Sequence, residues 1–256
     1  MKPDILDLTN FLADYADLMI SVGSHNERVR RCIRRIAHAY GFDVSIFVLL
    51  KNVTISVTDL DDYTNRRTYI KETCAHAINL AIVSDLGSLS WLVHDEKIEL
   101  KKAICIFNKI KETKNTKFGP NLLFMSVAFG AFCHLFGGDA GSVGFVVLST
   151  LIGVIIKHLL EKRKFDIRII YLVCSFVSSF VAYGAFALGI STTPAEALSS
   201  SILYLFPGIL VLNSIFDILD RNVLIGLSRG VNACILIICM AIGVYITLSI
   251  VKVGLL

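Results

Sequence analysis

"LYLFPGILVLNSIFDILDRN" (203–222) opens as an apolar helix and then departs from one. Pro207 and Gly208 sit side by side inside the apolar run, and Asn213, Asp217 and Asp220 follow soon after. A proline removes one helical hydrogen bond and its ring clashes with the preceding turn. In lipid, loosened backbone is tolerated only where it faces protein or water. Interrupted helices of this kind often line substrate sites in transporters, although a simple proline kink is also common in membrane helices. The i, i+4, i+7 spacing puts Asn213, Asp217 and Asp220 on one helix face. A carboxylate inside a span is costly and faces the bundle interior or a watery path. Asp220, in "DRN", already lies close to the membrane surface, and Asn213 could equally bond a neighbouring helix. A shared polar face below a backbone break points to a conduction path, with Pro207, Gly208, Asn213, Asp217 and Asp220 as its candidates.

The rest of the chain supports a membrane setting for this segment. Of its 256 residues 55% are hydrophobic, and the mean hydropathy is +0.69, too apolar for an ordinary soluble fold. Charge is concentrated at one end: residues 1–118 hold 17 Lys/Arg and 15 Asp/Glu, leaving 14 charged side chains for the remaining 138 residues. The division predicts two domains, a soluble one over 1–118 and a transmembrane one over 119–256. In the latter, apolar runs at 120–137, 142–160, 168–190, 198–218 and 231–251 each approach the ~20 residues that cross a hydrocarbon layer as a helix.

The linkers predict an orientation. "KHLLEKRKFDIR" (157–168) and "DILDRNVLIGLSRG" (217–230) carry arginines and lysines, whereas "GGDAG" (137–141) and "STTPAEA" (191–197) carry none. By the positive-inside rule the first two are cytoplasmic and the other two lie outside. Lysine-rich "FNKIKETKNTK" (107–117) keeps the soluble half inside, and the fifth span carries the C-terminus out. The expected localisation is a bacterial inner membrane, crossed several times.

The soluble half reads as a small α/β domain. An amphipathic helix over 9–22 is stopped by Gly23. A second helix follows in "SHNERVRRCIRRIAHAYG", opening with Ser24 and Glu27 at capping-box spacing and ending at Gly41. "DVSIFVLL" (43–50) and "NVTISVTD" (52–59) alternate as two strands joined at Lys51-Asn52, "RRTYIKE" (66–72) makes a third, and helices over 74–93 and 96–113 complete it. The fold class is thus a five-helix transmembrane α bundle preceded by a small cytosolic α/β domain.

Several functions lack a signal. The net charge of +4 is too small to argue for nucleic acid, and the arginines of the second helix suit a solvated face or anionic headgroups. The seven cysteines form no Cys-x-x-Cys pair, so neither a zinc site nor a disulfide framework is indicated. No Gly-x-x-x-x-Gly-Lys, Gly-x-Ser-x-Gly or His-Glu-x-x-His occurs. The expectation is no enzyme, no metal and no cofactor. His134 and "SFVSSFVAYGAFALG" (175–189) read as packing.

Four stretches resemble the threonine/serine exporter family: "GSHNERVRRCIRRIAHAYGF" (23–42), "DLGSLSWLVHDEKIELKKAICIFNKI" (85–110), "LFGGDAG" (135–141) and "FPGILVLNSIFDILDRNVLIGLSRG" (206–230). Many members carry a Glu-Thr pair after the early glycine and another glutamate after the arginine. This chain has His25, Asn26 and Arg30 there. The resemblance implies that Pro207, Gly208, Asn213 and Asp217 belong to the transport path, with Arg229 as a cytoplasmic partner. It also implies a small-molecule substrate, threonine or serine, with succinate or another dicarboxylate in the shorter YjjP-type members. Longer members have about ten spans, so a short one implies a second small membrane subunit, or a homo-oligomer, in the lipid bilayer. The rival reading is a membrane-anchored sensor or assembly protein without transport activity. The carboxylates of the fourth span count against it, since an anchor needs none.

Overall fold

The computed structural model describes residues 2–49, 52–73, 78–112 and 118–254. The chain forms two compact units, one of Met1–Asn115 with Ile209–Gly230 and the other of Thr116–Gly208 with Val231–Leu256.

The first unit opens with α1 (Ile5–Ser21), whose buried positions Leu8, Phe11, Leu12, Tyr15, Leu18 and Met19 recur every three or four residues. Gly23 ends it at φ +101°, with Ser24 N–H bonded back to the Met19 carbonyl. A left-handed glycine is the usual stop for a helix, because no Cβ opposes that backbone. α2 (Asn26–Ala39) buries Val29, Cys32, Ile33 and Ile36 and turns its arginines outward. Strands β1 (Phe42–Val48), β2 (Asn52–Asp59) and β3 (Arg66–Glu72) form an antiparallel sheet in that order, with Val44 opposite Val57 and Ile55 opposite Tyr69. Val53, Ile55 and Val57 of the central strand alternate inward, while β3 is almost wholly exposed. Residues 50–51 of the expected hairpin lie outside the described residues, and Leu49 N–H bonds the Asn52 carbonyl at 2.8 Å.

The helix expected over 74–93 is α3 (Leu80–Glu96). Asn79 caps it, accepting from the amides of Ala81 and Ile82, and residues 74–77 lie outside the described residues. α4 (Leu100–Lys111) follows. The core holds Leu12, Ile33, Ile36, Ile55, Leu86 and Leu89, all buried. Its two buried phenols are satisfied: Tyr15 donates to the Leu86 carbonyl at 2.6 Å and Tyr40 to the Ile98 carbonyl at 2.9 Å.

The second unit contains α5 (Phe118–Leu135), α6 (Ala140–Lys162), α7 (Ile167–Ala187), α8 (Pro194–Ser201) and a 3-10 turn, Leu203–Leu205. The last two helices are α9 (Gly208–Leu219) and α10 (Val223–Gly254), and α10 from Val231 onward completes this unit. Among the described residues, α5, α6, α7 and α10 are long and apolar enough to cross a membrane. The bent pair Pro194–Leu205 and Gly208–Leu219 makes a fifth if counted as one span. Their outward surfaces are apolar, with Phe124, Leu135 and Tyr245 each at least 70% exposed. Surface of that kind suits hydrocarbon and not water.

The break expected at Pro207-Gly208 is present: the stretch 198–218 is built from α8, the 3-10 turn and α9, with Phe206 and Pro207 between helical pieces. One expectation is corrected here. The stretch 223–230, expected as linker, is helical and opens α10. Only Asp220–Asn222 separates α9 from α10: Arg221 is left-handed at φ 64° and Asn222 N–H returns to the Asp217 carbonyl at 2.8 Å.

Inside the second unit, helices meet through hydroxyls and glycines. Ser178 Oγ and Tyr204 Oη lie 2.9 Å apart, and Ser179 Oγ and Thr247 Oγ1 2.6 Å apart. Lipid offers a buried hydroxyl no partner, so these four are satisfied by one another across the helix contacts. At one end, Asp139 caps α6 through Ser142 N–H and also accepts from Thr192 N–H, tying "GGDAG" to "STTPAEA". Those bonds hold its carboxyl well below the usual range.

Candidate functional site

The strongest polar constellation of the first unit is built from α9, the start of α10 and the α1–α2 corner. α9 and α10 cross closely because Gly226 and Gly230 stand four residues apart on one face. A Cβ at Gly226 would lie 2.8 Å from the Ser214 carbonyl oxygen and 2.6 Å from Ile218 Cγ1. Ser214 Oγ donates to the Gly226 carbonyl at 2.7 Å. This crossing brings Arg229 beside Asp217, with Nη1 to Oδ2 at 2.6 Å.

Asp217 is fully buried and its partner's side chain is 15% exposed. The other carboxylate oxygen, Oδ1, accepts the backbone N–H of Asn26 at 3.1 Å. Asn26 is the first residue of α2, so Asp217 caps that helix from 191 positions away. The expected capping box is therefore not formed. Ser24 Oγ points instead to the His25 carbonyl at 3.4 Å, and no side chain from the helix's own N-cap residue accepts a bond there. The reason is electrostatic: a helix N-terminus carries roughly half a positive charge, and with Arg229 it flanks the carboxylate by two sources of positive potential.

The neighbours follow from this seat. Asn213 Nδ2 donates to the Gly23 carbonyl at 2.8 Å, which the left-handed backbone of Gly23 leaves free of α1. His25 lies against the Phe216 ring, centroids 5.5 Å apart, and Arg30 reaches Asn222 Oδ1 at 3.3 Å. Asn26 is only 2% exposed, and both Oδ1 and Nδ2 lack a hydrogen-bond partner among the described residues. An unpaired buried amide is uncommon and calls for an account.

The six residues singled out in sequence separate into groups. Asp217, Arg229 and Asn213 come together around the α1–α2 corner. Asp220 is exposed at the end of α9, and its carboxylate bonds no described residue. Pro207 and Gly208 stand at the break that precedes α9. Sequence reasoning missed Asn26, Gly23 and the Gly226/Gly230 pair as members of this constellation. "GLSRG" (226–230) carried a small-xxx-small signal for close helix approach. His25, Asn26 and Arg30, where the chain departs from the acidic pattern, all face this constellation.

Burial lowers the pKa of His25 below 6.5, outweighing the nearby Asp217 and Asp220 carboxylates. The folded state therefore disfavours the imidazolium, and stability falls as pH drops below the unfolded value toward the folded one. Thermal melts of the whole protein at pH 7.5 and 5.5 should show a smaller acid loss in His25→Gln than in the wild type. Equal losses would remove His25 as a contributor.

Comparison with known proteins adds the family. A family model described as "Putative threonine/serine exporter" matches residues 10–251. Two relatives named "Probable succinate transporter subunit YjjP" match almost end to end. The one from Klebsiella aerogenes is 21% identical over 94% of this chain and 93% of its own length. The one from Escherichia coli (strain K12) is 21% identical over 91% and 90%. No solved structure matches the chain. With its apolar helices and a family match over most of its length, this chain is a multi-pass membrane protein that belongs to the threonine/serine exporter family.

Proposed function

We propose that the chain is an inner-membrane secondary exporter subunit for a small carboxylate-bearing metabolite, and that the Asp217–Arg229 junction belongs to its transport path. The observation that carries this reading is the buried pair itself, set beside an unsatisfied Asn26 amide. Burying two charges gains little stability over an apolar pair of similar shape, so stability alone is a poor reason to keep one. Arg229 offers a planar fork that suits a carboxylate. A substrate carboxylate that displaces Asp217 from it would find the Asn26 Nδ2 free to donate.

The substrate classes differ at the other end of the molecule. Threonine or serine carries an ammonium that the released Asp217 would welcome. Succinate carries a second carboxylate, which needs a further donor beyond Arg229 and Asn26. The relatives' names favour succinate, and the charge pair favours the zwitterion. The basic linkers support a cytoplasmic position for residues 1–118 and an outer C-terminus. A second small membrane subunit would supply the rest of the path, as the "subunit" in the relatives' names suggests.

Efflux of labelled succinate, threonine and serine from cells expressing the chain with and without a neighbouring small membrane protein is the test. Accelerated efflux of one of the three, requiring this chain, is expected. Efflux of all three at the background rate in both strains would refute the exporter reading and favour a membrane-anchored assembly protein.

A further inference from the structure

We propose that a cleft between α2 and α3, separate from the Asp217 junction, is a binding site for a small, multiply charged, phosphate-bearing anion. The cleft has a volume of about 370 Å³. Its walls are two facing stripes: Arg28, Arg31 and Arg35 from α2, and Ser84, Ser88 and Trp91 from α3. Each set follows the three-and-four spacing that aligns side chains on one helix face. Three guanidiniums converge here, and no carboxylate lines the wall.

The arginines are held to different degrees. Arg35 is fixed, its Nη1 donating to Ser90 Oγ at 2.7 Å and its guanidinium stacked 3.5 Å from the Trp91 ring centre. Arg28 reaches only the Val83 carbonyl, at 3.5 Å. Arg31 is exposed and bonds no described residue. The two basic residues that face elsewhere behave otherwise: Arg30 pairs with Glu27 and Asn222, and Arg34 stands alone outside the cleft. Gly87 keeps the floor clear, since a Cβ there would come within 3.3 Å of Arg28 Nη2.

This geometry selects a ligand class. Like charges brought into one concavity repel, and an anion between them removes that repulsion while taking several charge-assisted bonds. Guanidinium forks and serine hydroxyls together match the oxygens of a phosphate group. A cleft within the 300–1,000 Å³ range of small-molecule sites is larger than a single phosphate requires, so the occupant carries more than one anionic group. A solvated arginine face would be convex and scattered. This one is concave and closed at one side by an aromatic ring.

The chain contains a single tryptophan, and it lines the cleft. Intrinsic fluorescence of the full-length protein in nanodiscs therefore reports on this place. The probes are inorganic pyrophosphate titrated in neutral phosphatidylcholine discs, and discs containing phosphatidylglycerol without added pyrophosphate. A saturable change with pyrophosphate is expected, weakened ~10-fold or more by Arg31→Ala, the loss of one charge-assisted bond, and unmoved by Arg34→Ala. A change seen only with phosphatidylglycerol and lost in Arg31→Ala would support the site and assign its phosphate to a lipid headgroup. No saturable change in either arm, or one that both Arg31→Ala and Arg28→Ala leave intact, would overturn it. Neither outcome depends on transport, so this site and the exporter reading fail separately.

Discussion

Asp217→Asn should lower the stability of the protein by about 3 kcal/mol and bring substrate efflux to background. The magnitude follows from leaving Arg229 without its counter-charge: breaking a buried pair from one side costs roughly 3–5 kcal/mol, far more than the intact pair contributes. Arg229 is 15% exposed and can recover some hydration, which places the loss at the low end of that range. The amide oxygen of asparagine can still accept the Asn26 N–H, so the α2 cap weakens without vanishing. Chemical denaturation of the purified protein reads the first effect, and efflux normalised to membrane abundance reads the second. Full efflux at normal abundance would take Asp217 out of the transport path.

Gly243→Val is the other large expected effect, and it concerns only the second unit. There α10 lies so close to α7 that a Cβ at Gly243 would be 2.6 Å from the Leu172 carbonyl oxygen and 2.9 Å from the Phe176 amide nitrogen, besides meeting Ser175 Oγ. Two of these neighbours are backbone and cannot rotate away. Relief requires the helices to separate, which also strains the Ser179–Thr247 bond between them. Overpacking typically costs ~1–3 kcal/mol where side chains can adjust, and the upper end or beyond is expected here. The yield of folded protein should fall sharply, read by fluorescence-detected size exclusion. Gly144→Val, with nothing within 4 Å of its Cβ, is the control and should express normally. Equal yields for the two variants would contradict the close α7–α10 contact.

Much of the local structure was legible because it follows from periodicity. The alternation in "NVTISVTD" and the apolar stripe of α2 carry the sheet and helix of the first unit, and Gly23 marks a helix end at the expected place. Span positions were legible from hydropathy alone, within a few residues, for α5, α6 and α7. The region around 217–230 was not. Arg221 and Arg229 looked like linker residues, yet the three-residue turn at Asp220–Asn222 needs only one left-handed position, and helix resumes at Val223.

The cap of α2 was invisible for a different reason. "SHNE" has the local signature of a capping box, but a buried carboxylate paired with Arg229 displaces it from another part of the chain. Local spacing cannot register a partner 191 residues away. The hydroxyls of "SFVSSFV" read as small residues for packing. They do permit close contact, and Ser178 and Ser179 also bond across to Tyr204 and Thr247.

The central claim is that Asp217 and Arg229 act in transport and do not merely hold α9 against α10. The double variant Asp217→Asn with Arg229→Met separates the two roles, because it removes both charges and leaves neither stranded. Replacing a buried pair by well-packed apolar groups of similar volume is often neutral for stability, and an asparagine at 217 keeps an oxygen for the Asn26 N–H. The measurement is efflux per folded protein in the double variant beside Asp217→Asn alone. Recovered stability with efflux still at background is the predicted result. Efflux restored together with stability would contradict the account and leave the pair a structural clasp.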